Sequence, residues 1–454
     1  MCDWDWEPFD WFINAGKFTF SDPGPLHGPI HKFTIKRDAD LKFILETISG
    51  QDAISNAISY PPGTVRSNVA DVATLSDIWG GTTVTLSGVQ PLKQARNLNI
   101  DPLLGELNEQ SSIYAMSGVT SNKGEPKYII DWLANVRHFI WPDTTDDEIV
   151  TTRVLTIKNG GDGPIFTHSS KESSVSRNCV KFTVDGYEIY LSTSTSQSEK
   201  EINNPAFLLY IGSPTEEFRE RIRTCLSFSL GSYIVHLGHS TFCKDFGLIS
   251  FEAISAYALD GRAFEIATAP PAPLGTKYEG EIDRAILSRM VNSFYHHYDA
   301  LNFLYLNWAF WHAVCATPHI APVHFGAALE ALQRVYVKNN PTNYQTALLE
   351  RGDWRTLQCS AEAAIASMQI ADGTKQVLIN KISGLNRKPQ SVLLDEVLSA
   401  IGLNLSEMEK TAWKRRNEAG HGIHAKPGEH VRLIIYYDYY TINRPVRKLF
   451  DPIP

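Results

Sequence analysis

The strongest constraint on the fold is a change of hydrophobic period partway along the chain. Up to about residue 205, short segments alternate apolar and polar residues or are rich in β-branched side chains, as in "HKFTIK", "TTVTLSGV" and "VTTRVLTI". A period of two is typical of half-buried strands. From about residue 281, apolar residues recur at the spacing of helices. The sequence therefore predicts an α+β protein, with a β-rich region first and an all-α bundle last.

The β-rich region is punctuated by turn residues. "VDGY", which includes Asp185 and Gly186, separates two strand-like runs and predicts a tight hairpin. Several short strands joined by such turns favour a sandwich-like or barrel-like antiparallel domain over residues 1–205. The pattern is compatible with one domain or with two.

The remaining boundaries follow from proline and from helix capping. Residues 206–268 predict a mixed connecting segment with one helix, for which Ser213 is the expected N-cap, Pro214 the first helical residue and Glu216 the capping-box partner. Residues 269–280 predict a linker, because three of the four positions 270–273 are proline. Residues 281–454 then predict a helical domain of about six helices.

Charge and cysteine usage limit the function classes. The net charge is −8, so any site for a polyanion has to be a local patch. Residues 406–454 carry nine basic and six acidic side chains, which makes the end of the chain basic, either as such a patch or by chance. The six cysteines are spread singly, as in a reducing compartment. With no signal-peptide pattern and no apolar run of membrane-spanning length, we expect a cytoplasmic protein without membrane association.

Metal and cofactor motifs are absent from the sequence. His236 and His239 in "HLGHS" have no carboxylate or third ligand at metal-binding spacing, and no C-x-x-C pair occurs. Glycine-rich nucleotide-binding loops are also absent. We therefore expect neither a metal nor a cofactor.

One short segment near the end, "KRRNEAGHGIH", carries a chemical signal. Ser406 is a suitable N-cap for a helix over residues 407–419, and Gly420 is a suitable stop. Arg416 then lies in the last turn and His421 follows the stop. A basic last turn also matches the helix dipole without any catalytic role, and this interpretation stays open. The pattern R-N-x-x-x-H has a chance expectation of about 0.03 in a chain of this composition.

"RRNEAGHG" resembles the R-N-x-x-x-H motif of HEPN-domain ribonucleases, and "FGAALEALQRVY" resembles the helix of such domains that carries an A-L-E-x-L pattern. A long β-rich region before such a domain is similar to the ApeA family of phage-defence proteins. The resemblance implies a HEPN-like bundle over residues 281–454 and metal-independent cleavage of RNA. It also implies a homodimer formed through this domain, and a phage-derived trigger sensed by the N-terminal region.

The resemblance places catalytic roles on Arg416, Asn417 and His421. Histidine is suited to general acid–base work near neutral pH, and arginine offers a permanently charged fork for phosphate oxygens. Arg415, adjacent to Arg416, is an alternative for the phosphate role. The expected products are a 2′,3′-cyclic phosphate and a 5′-hydroxyl.

Other residues have a supporting role or none. A candidate RNA-binding rim, which is equally well explained as a solvated basic face, comprises Lys414, Arg415, His424, Lys426 and Arg432. Glu330 either supports the site from a neighbouring helix or is a surface or capping carboxylate. The competing function is a non-catalytic sensor and dimerisation protein that binds a phage protein or another ligand.

Overall fold

The computed structural model describes residues 18–38, 40–50, 71–78, 81–97, 106–137, 139–156, 165–193, 204–255, 280–316, 320–341, 343–404, 406–407 and 410. The chain divides into two compact units, residues 1–292 (unit 1) and residues 293–454 (unit 2). The first is rich in strands and the second is helical, which confirms the predicted α+β class. The predicted linker at 269–280 lies outside the described residues apart from residue 280.

Unit 1 contains two antiparallel sheets. The strands are β1 Phe18–Asp22, β2 Ile30–Arg37, β3 Phe43–Ser49, β4 Val72–Asp77, β5 Thr83–Ser87, β6 Gln90–Asn97, β7 Glu106–Ile113, β8 Ala115–Val119, β9 Tyr128–Ala134, β10 Asp143–Thr156, β11 Ile165–Val184, β12 Tyr187–Thr193, β13 Ala206–Ile211, β14 Val235–Phe242 and β15 Leu248–Ile254. The larger sheet has the order β1-β4-β5-β8-β15-β14-β9-β13-β12-β11-β10, and the smaller has the order β2-β3-β7-β6.

The two sheets share one hydrophobic core. Leu45 of the small sheet and Leu75, Val84 and Ile130 of the large sheet are fully buried in the same cluster. This arrangement follows from the alternation in the sequence, since every second residue of a strand points to the same face. The predicted hairpin is also confirmed. Val184 pairs with Tyr187 across a turn in which both Asp185 and Gly186 have positive φ, as a two-residue hairpin loop of type I′ requires.

Residues 206–255, for which the sequence suggested a connecting segment, contribute three strands to the large sheet and one helix. That helix, α1, is Glu216–Leu230. Its N-cap is Thr215, whose hydroxyl accepts from the Phe218 N–H at 3.2 Å, so the assignment of the cap to Ser213 was wrong by two residues. Gly231 ends the helix in the left-handed conformation with φ 62°. The ring of Phe218 lies 4.9 Å from that of Tyr187 on β12, which places α1 against the sheet.

The helices that follow are α2 Arg284–His296, α3 Phe303–Cys315, α4 Ala321–Asn339, α5 Arg351–Ser367, α6 Asp372–Ser383 and α7 Gln390–Ala400. Five of them, α2 to α5 and α7, lie in segments of the sequence with apolar residues at helical spacing, and proline lies in the first turn of α4, where its missing N–H costs no helical hydrogen bond. The sequence pattern did not indicate α6. Its described side chains are all at least partly exposed, so it lacks the apolar stripe on which such predictions depend. No described helix combines the length and apolar character that a bilayer crossing requires.

Unit 2 is organised around large aromatic side chains. Phe294 of α2 stacks on Phe303 of α3 with ring centroids 4.8 Å apart, and Phe310 meets Phe325 of α4 edge-on at 6.1 Å. Trp311 is fully buried, and its indole N–H donates to the Asn307 side chain at 3.0 Å. The apolar side of α3 therefore faces α2 and α4.

A close approach between β8 and β15 provides a test of the large sheet. Gly118 lies opposite Phe251, and a Cβ at position 118 would be 2.3 Å from the Phe251 ring. We expect Gly118→Ala to lower the free energy of unfolding by about 1–3 kcal/mol, because the buried ring has to move. Denaturant titration measures this loss. Ser117→Ala, on the exposed face of the same strand, is the control, and equal stability of the two variants would contradict the packing described.

Candidate functional site

The motif predicted to be catalytic lies outside the described residues. This holds for Arg416, Asn417 and His421 and for the predicted rim, which comprises Lys414, Arg415, His424, Lys426 and Arg432. Of the helix expected to carry the motif, residues 406, 407 and 410 are described. The Lys410 N–H donates to the Ser406 carbonyl at 3.0 Å, the bond that closes one helical turn, and Glu407 and Lys410 form an ion pair at 2.9 Å.

Glu330, the predicted supporting residue, lies on α4. Its carboxylate is 3.3 Å from the guanidinium of Arg334, one helical turn further on, and the Arg334 side chain is largely exposed. Exposed ion pairs of this kind contribute about 0–1 kcal/mol. The Glu330 side chain is 23% exposed, and this contact is compatible with both interpretations given above.

Unit 1 contains a cluster of buried charged side chains, which we call the Asp131 cluster. Asp131 is the central residue of β9 and is 0% exposed. The residues on either side of it in the sequence, Ile130 and Trp132, are apolar. In the sheet it lies between Leu208 on β13 and His239 on β14. The Tyr210 hydroxyl, two residues along β13, donates to the Asp131 carboxylate at 3.3 Å.

Two arginines from α1 bind this carboxylate. Arg219 donates to one carboxylate oxygen of Asp131 and Arg223 donates to the other, and both side chains are buried. They lie four residues apart, so they project from the same side of the helix. Both also bind Glu216 in the first turn, whose side chain is 53% exposed. The cluster thus extends from the sheet centre to the surface, and its two positive and two negative charges cancel.

Two histidines of β14 complete the cluster because of a β-bulge. The register shifts between His236 and Gly238, so His236 and His239 point to the same face as Asp131 although they are three residues apart. Gly238 has φ 140°, and a Cβ there would lie 2.1 Å from the Glu252 carbonyl oxygen. His236 Nε2 is 3.9 Å from the Asp131 carboxylate, and His239 Nδ1 is 3.6 Å from that of Glu252 on β15.

The electrostatics fix the protonation states. Burial alone raises the pKa of Asp131, but the charges of Arg223 and Arg219 outweigh it and lower the pKa to about 2. Burial and the charge of Arg223 hold the pKa of His236 well below its usual value. Burial and the charge of Arg219 lower the pKa of His239. At neutral pH both rings are therefore uncharged, and the two arginines keep Asp131 ionised.

Three nitrogens of the cluster are buried without a hydrogen-bond partner among the described residues: Arg219 Nε, His236 Nε2 and His239 Nδ1. A buried polar atom in this state attracts a water molecule or a ligand oxygen. In the described ranges, no group of three or more His, Cys, Asp or Glu side chains is arranged to hold a metal ion. The cluster is therefore a helix-to-sheet clamp with spare hydrogen-bonding capacity next to the two histidines.

The comparisons with known proteins give no further guide. No family model, no curated protein and no solved structure matches this chain.

The sequence did not reveal the Asp131 cluster. The two histidines were noticed but had no carboxylate nearby in sequence, whereas the fold brings Asp131 and Glu252 beside them from other strands. Two short segments of the sequence nevertheless indicate buried charges. "YIIDWLA" places one carboxylate inside an apolar strand, and α1 carries two arginines on its apolar face. Buried charges of this kind require partners.

The clamp predicts a large loss of stability when its carboxylate is neutralised. Asp131→Asn keeps the size of the side chain but leaves two buried guanidinium groups without their main counter-charge. We expect the free energy of unfolding to fall by about 3–5 kcal/mol in denaturant titration. The control is Glu217→Gln, which removes an exposed first-turn carboxylate paired with Arg221 and should cost less than about 1 kcal/mol. A loss no larger than that of the control would rule out the clamp.

The histidines predict sensitivity to mild acid. Their folded-state pKa values lie below those of an unfolded chain, so the unfolded state binds protons first as the pH falls. The free energy of unfolding should therefore decrease from about pH 7 to pH 5, above the range in which Asp131 titrates, by up to about 1.4 kcal/mol per pH unit for each ring. His236→Gln should flatten this slope, while His296→Gln, an exposed residue of α2, should leave it unchanged. Parallel slopes in wild type and His236→Gln would refute the assignment.

Proposed function

We propose that this chain is a metal-independent endoribonuclease of an anti-phage defence system, acting by abortive infection, with tRNA as a candidate substrate. The observation that carries the proposal is the R-N-x-x-x-H motif at residues 416–421, near the end of a helical region. The described residues support its setting. Unit 2 is helical from α3 to α7, and a helical turn begins at Ser406, where the sequence predicts the motif helix.

In the proposed mechanism the RNA supplies its own nucleophile. A ribose 2′-hydroxyl attacks the adjacent phosphorus, and the 5′-oxygen of the next nucleotide leaves. The 2′-hydroxyl loses a proton in this reaction and the departing 5′-oxygen gains one. His421 accepts the first proton as a general base or donates the second as a general acid, because an imidazole titrates near neutral pH. Arg416 stabilises the negative charge that develops on the phosphoryl oxygens, and Asn417 orients His421 or binds a phosphate oxygen. The products are a 2′,3′-cyclic phosphate and a 5′-hydroxyl.

In the proposal, the chain forms a cytoplasmic homodimer through its helical domain, so that the motifs of the two copies lie together. Unit 1 of each copy recognises a phage-derived trigger. The Asp131 cluster supports a recognition role for this unit, since its buried nitrogens without partners offer hydrogen bonds to a ligand. That same observation is compatible with the competing function, a sensor protein that binds without cleaving RNA.

Cleavage assays separate these two functions. We expect the purified full-length chain to cleave RNA in the presence of EDTA. His421→Ala should reduce the rate by at least about 100-fold, the usual size of a general acid–base contribution. Arg416→Ala should reduce it by a similar factor of about 100-fold or more, the usual loss when a group that stabilises transition-state charge is removed. Mapping of the RNA ends should show cyclic phosphates. The matched control is His297→Ala, an exposed histidine on the C-terminal side of α2, which should cleave at the wild-type rate. Cleavage that EDTA abolishes, or that His421→Ala leaves intact, would exclude the proposal.

A further inference from the structure

The hairpin of β10 and β11 extends beyond the rest of the large sheet, and we call the extended part the β-arm. It comprises residues 145–156 of β10 and residues 165–176 of β11, which pair with each other in one unbroken register. On its other side β11 pairs with β12 only from Cys179 to Val184. The β-arm is therefore a two-stranded ribbon, about 40 Å long at the usual rise per residue of a strand.

Both faces of the β-arm are open to solvent at its middle. Val150 and Lys171, which lie opposite each other on one face, are exposed, and so are Thr151 and Ser170 on the other face. Val175, nearer the base, is 68% exposed. A two-stranded hairpin alone is marginally stable in water, and a third strand or a packed face stabilises it. Among the described residues, no strand pairs with β10 on the side away from β11.

The other edge strands of the two sheets, β1, β2 and β6, are protected against pairing with another chain. β1 has only five residues, β2 carries two lysines and a bulge, and β6 carries Pro91 and a bulge. Short length, lysine, proline and bulges are the usual means of protecting a sheet edge. Residues 145–156 have none of these features over twelve consecutive residues. The edge of β10 is therefore suited to pairing with a further strand.

The charges along this edge are divided unevenly. Residues 146–148 are all acidic, whereas residues 149–156 include no carboxylate and carry Arg153. If two copies of this strand align in parallel, the acidic runs lie side by side, and like charges directly opposite each other are destabilising. If they align antiparallel, each acidic run lies against the half of the other strand that carries the arginine. The strand is therefore complementary in charge to an antiparallel copy of itself.

We infer that the open edge of β10 pairs with the same edge of a second copy of this chain, antiparallel and about a two-fold axis at Val150. In this register Asp147 of each copy lies opposite Arg153 of the other. The pairing gives each β-arm its third strand, and the new contact is made by backbone hydrogen bonds. A two-fold contact of this kind uses the same surface on both copies. It lies in unit 1, so it is separate from the helical-domain contact of the proposed function and does not depend on that function.

Cysteine cross-linking tests the register. In the full-length protein, Val150→Cys places two thiols opposite each other at the two-fold axis, where Cα atoms about 4.5–5.5 Å apart permit a disulfide. We expect a covalent dimer on a non-reducing gel after air oxidation. The matched control is Thr152→Cys, an exposed residue two positions further along β10, which should remain largely monomeric on the gel. Its counterpart in the second copy is about 14 Å away, because it lies four residues along the paired strand.

Charge exchange tests the pairing in solution. Sedimentation velocity of the full-length protein at low ionic strength measures the dissociation constant. Arg153→Glu and Asp147→Arg should each weaken association roughly ten-fold, because each places like charges opposite one another at both symmetry-related positions. The double variant should regain the affinity of the wild type. The two residues are six positions apart in one strand, about 20 Å, so they cannot compensate for each other within one copy.

The outcomes separate this inference from the proposed function. Equal yields of covalent dimer in Val150→Cys and Thr152→Cys overturn the inference, and so does a wild-type chain that stays monomeric. Association that is unchanged in both single charge variants overturns it too, while leaving a homodimer through the helical domain in place. Weaker association in the single variants that returns in the double variant supports the inference, whether or not the chain cleaves RNA.

Discussion

The attachment of α1 to the large sheet depends on one buried carboxylate, that of Asp131. Apolar side chains such as Phe218 and Ile222 hold the helix against the sheet, but the hydrophobic effect is non-directional. Two guanidinium groups on the same side of the helix reach the two oxygens of one carboxylate at the centre of β9. That requirement fixes both the rotation of α1 and its position along its axis. The clamp therefore adds specificity to a packing that hydrophobic burial alone leaves loosely determined.

The same interaction sets the chemistry of the two histidines beneath the helix. The bulge at Gly238 turns His236 and His239 towards the arginines, and burial beside these fixed positive charges keeps both rings neutral. The β-bulge in β14 therefore determines that His236 and His239 face the arginines of α1. If unit 1 recognises a trigger, an incoming ligand would contact the half-exposed Glu216 carboxylate before the ring nitrogens and the Arg219 Nε, which are buried.

Local sequence signals predicted only those features that depend on interactions between residues close together in the chain. The Asp185–Gly186 hairpin and the helices α2 to α5 follow from turn chemistry and apolar spacing within a few residues. The cap of α1 was misplaced because "SPTE" offers two hydroxyls two residues apart, and either satisfies the capping pattern. Helix α6 was missed because it has no buried stripe. The Asp131 cluster joins residues as far apart in sequence as Asp131 and His239, and no short-range pattern encodes the pairing of β9 with β13 and β14.

The cancelling charges of the Asp131 cluster have a consequence for the conditions under which unit 1 keeps its shape. Mobile ions screen charges over about 8 Å at physiological ionic strength, but they cannot enter between groups in direct contact inside a protein. The contacts of the two guanidinium groups with the buried Asp131 carboxylate should therefore change little with ionic strength, whereas their contacts with the half-exposed Glu216 carboxylate are open to screening.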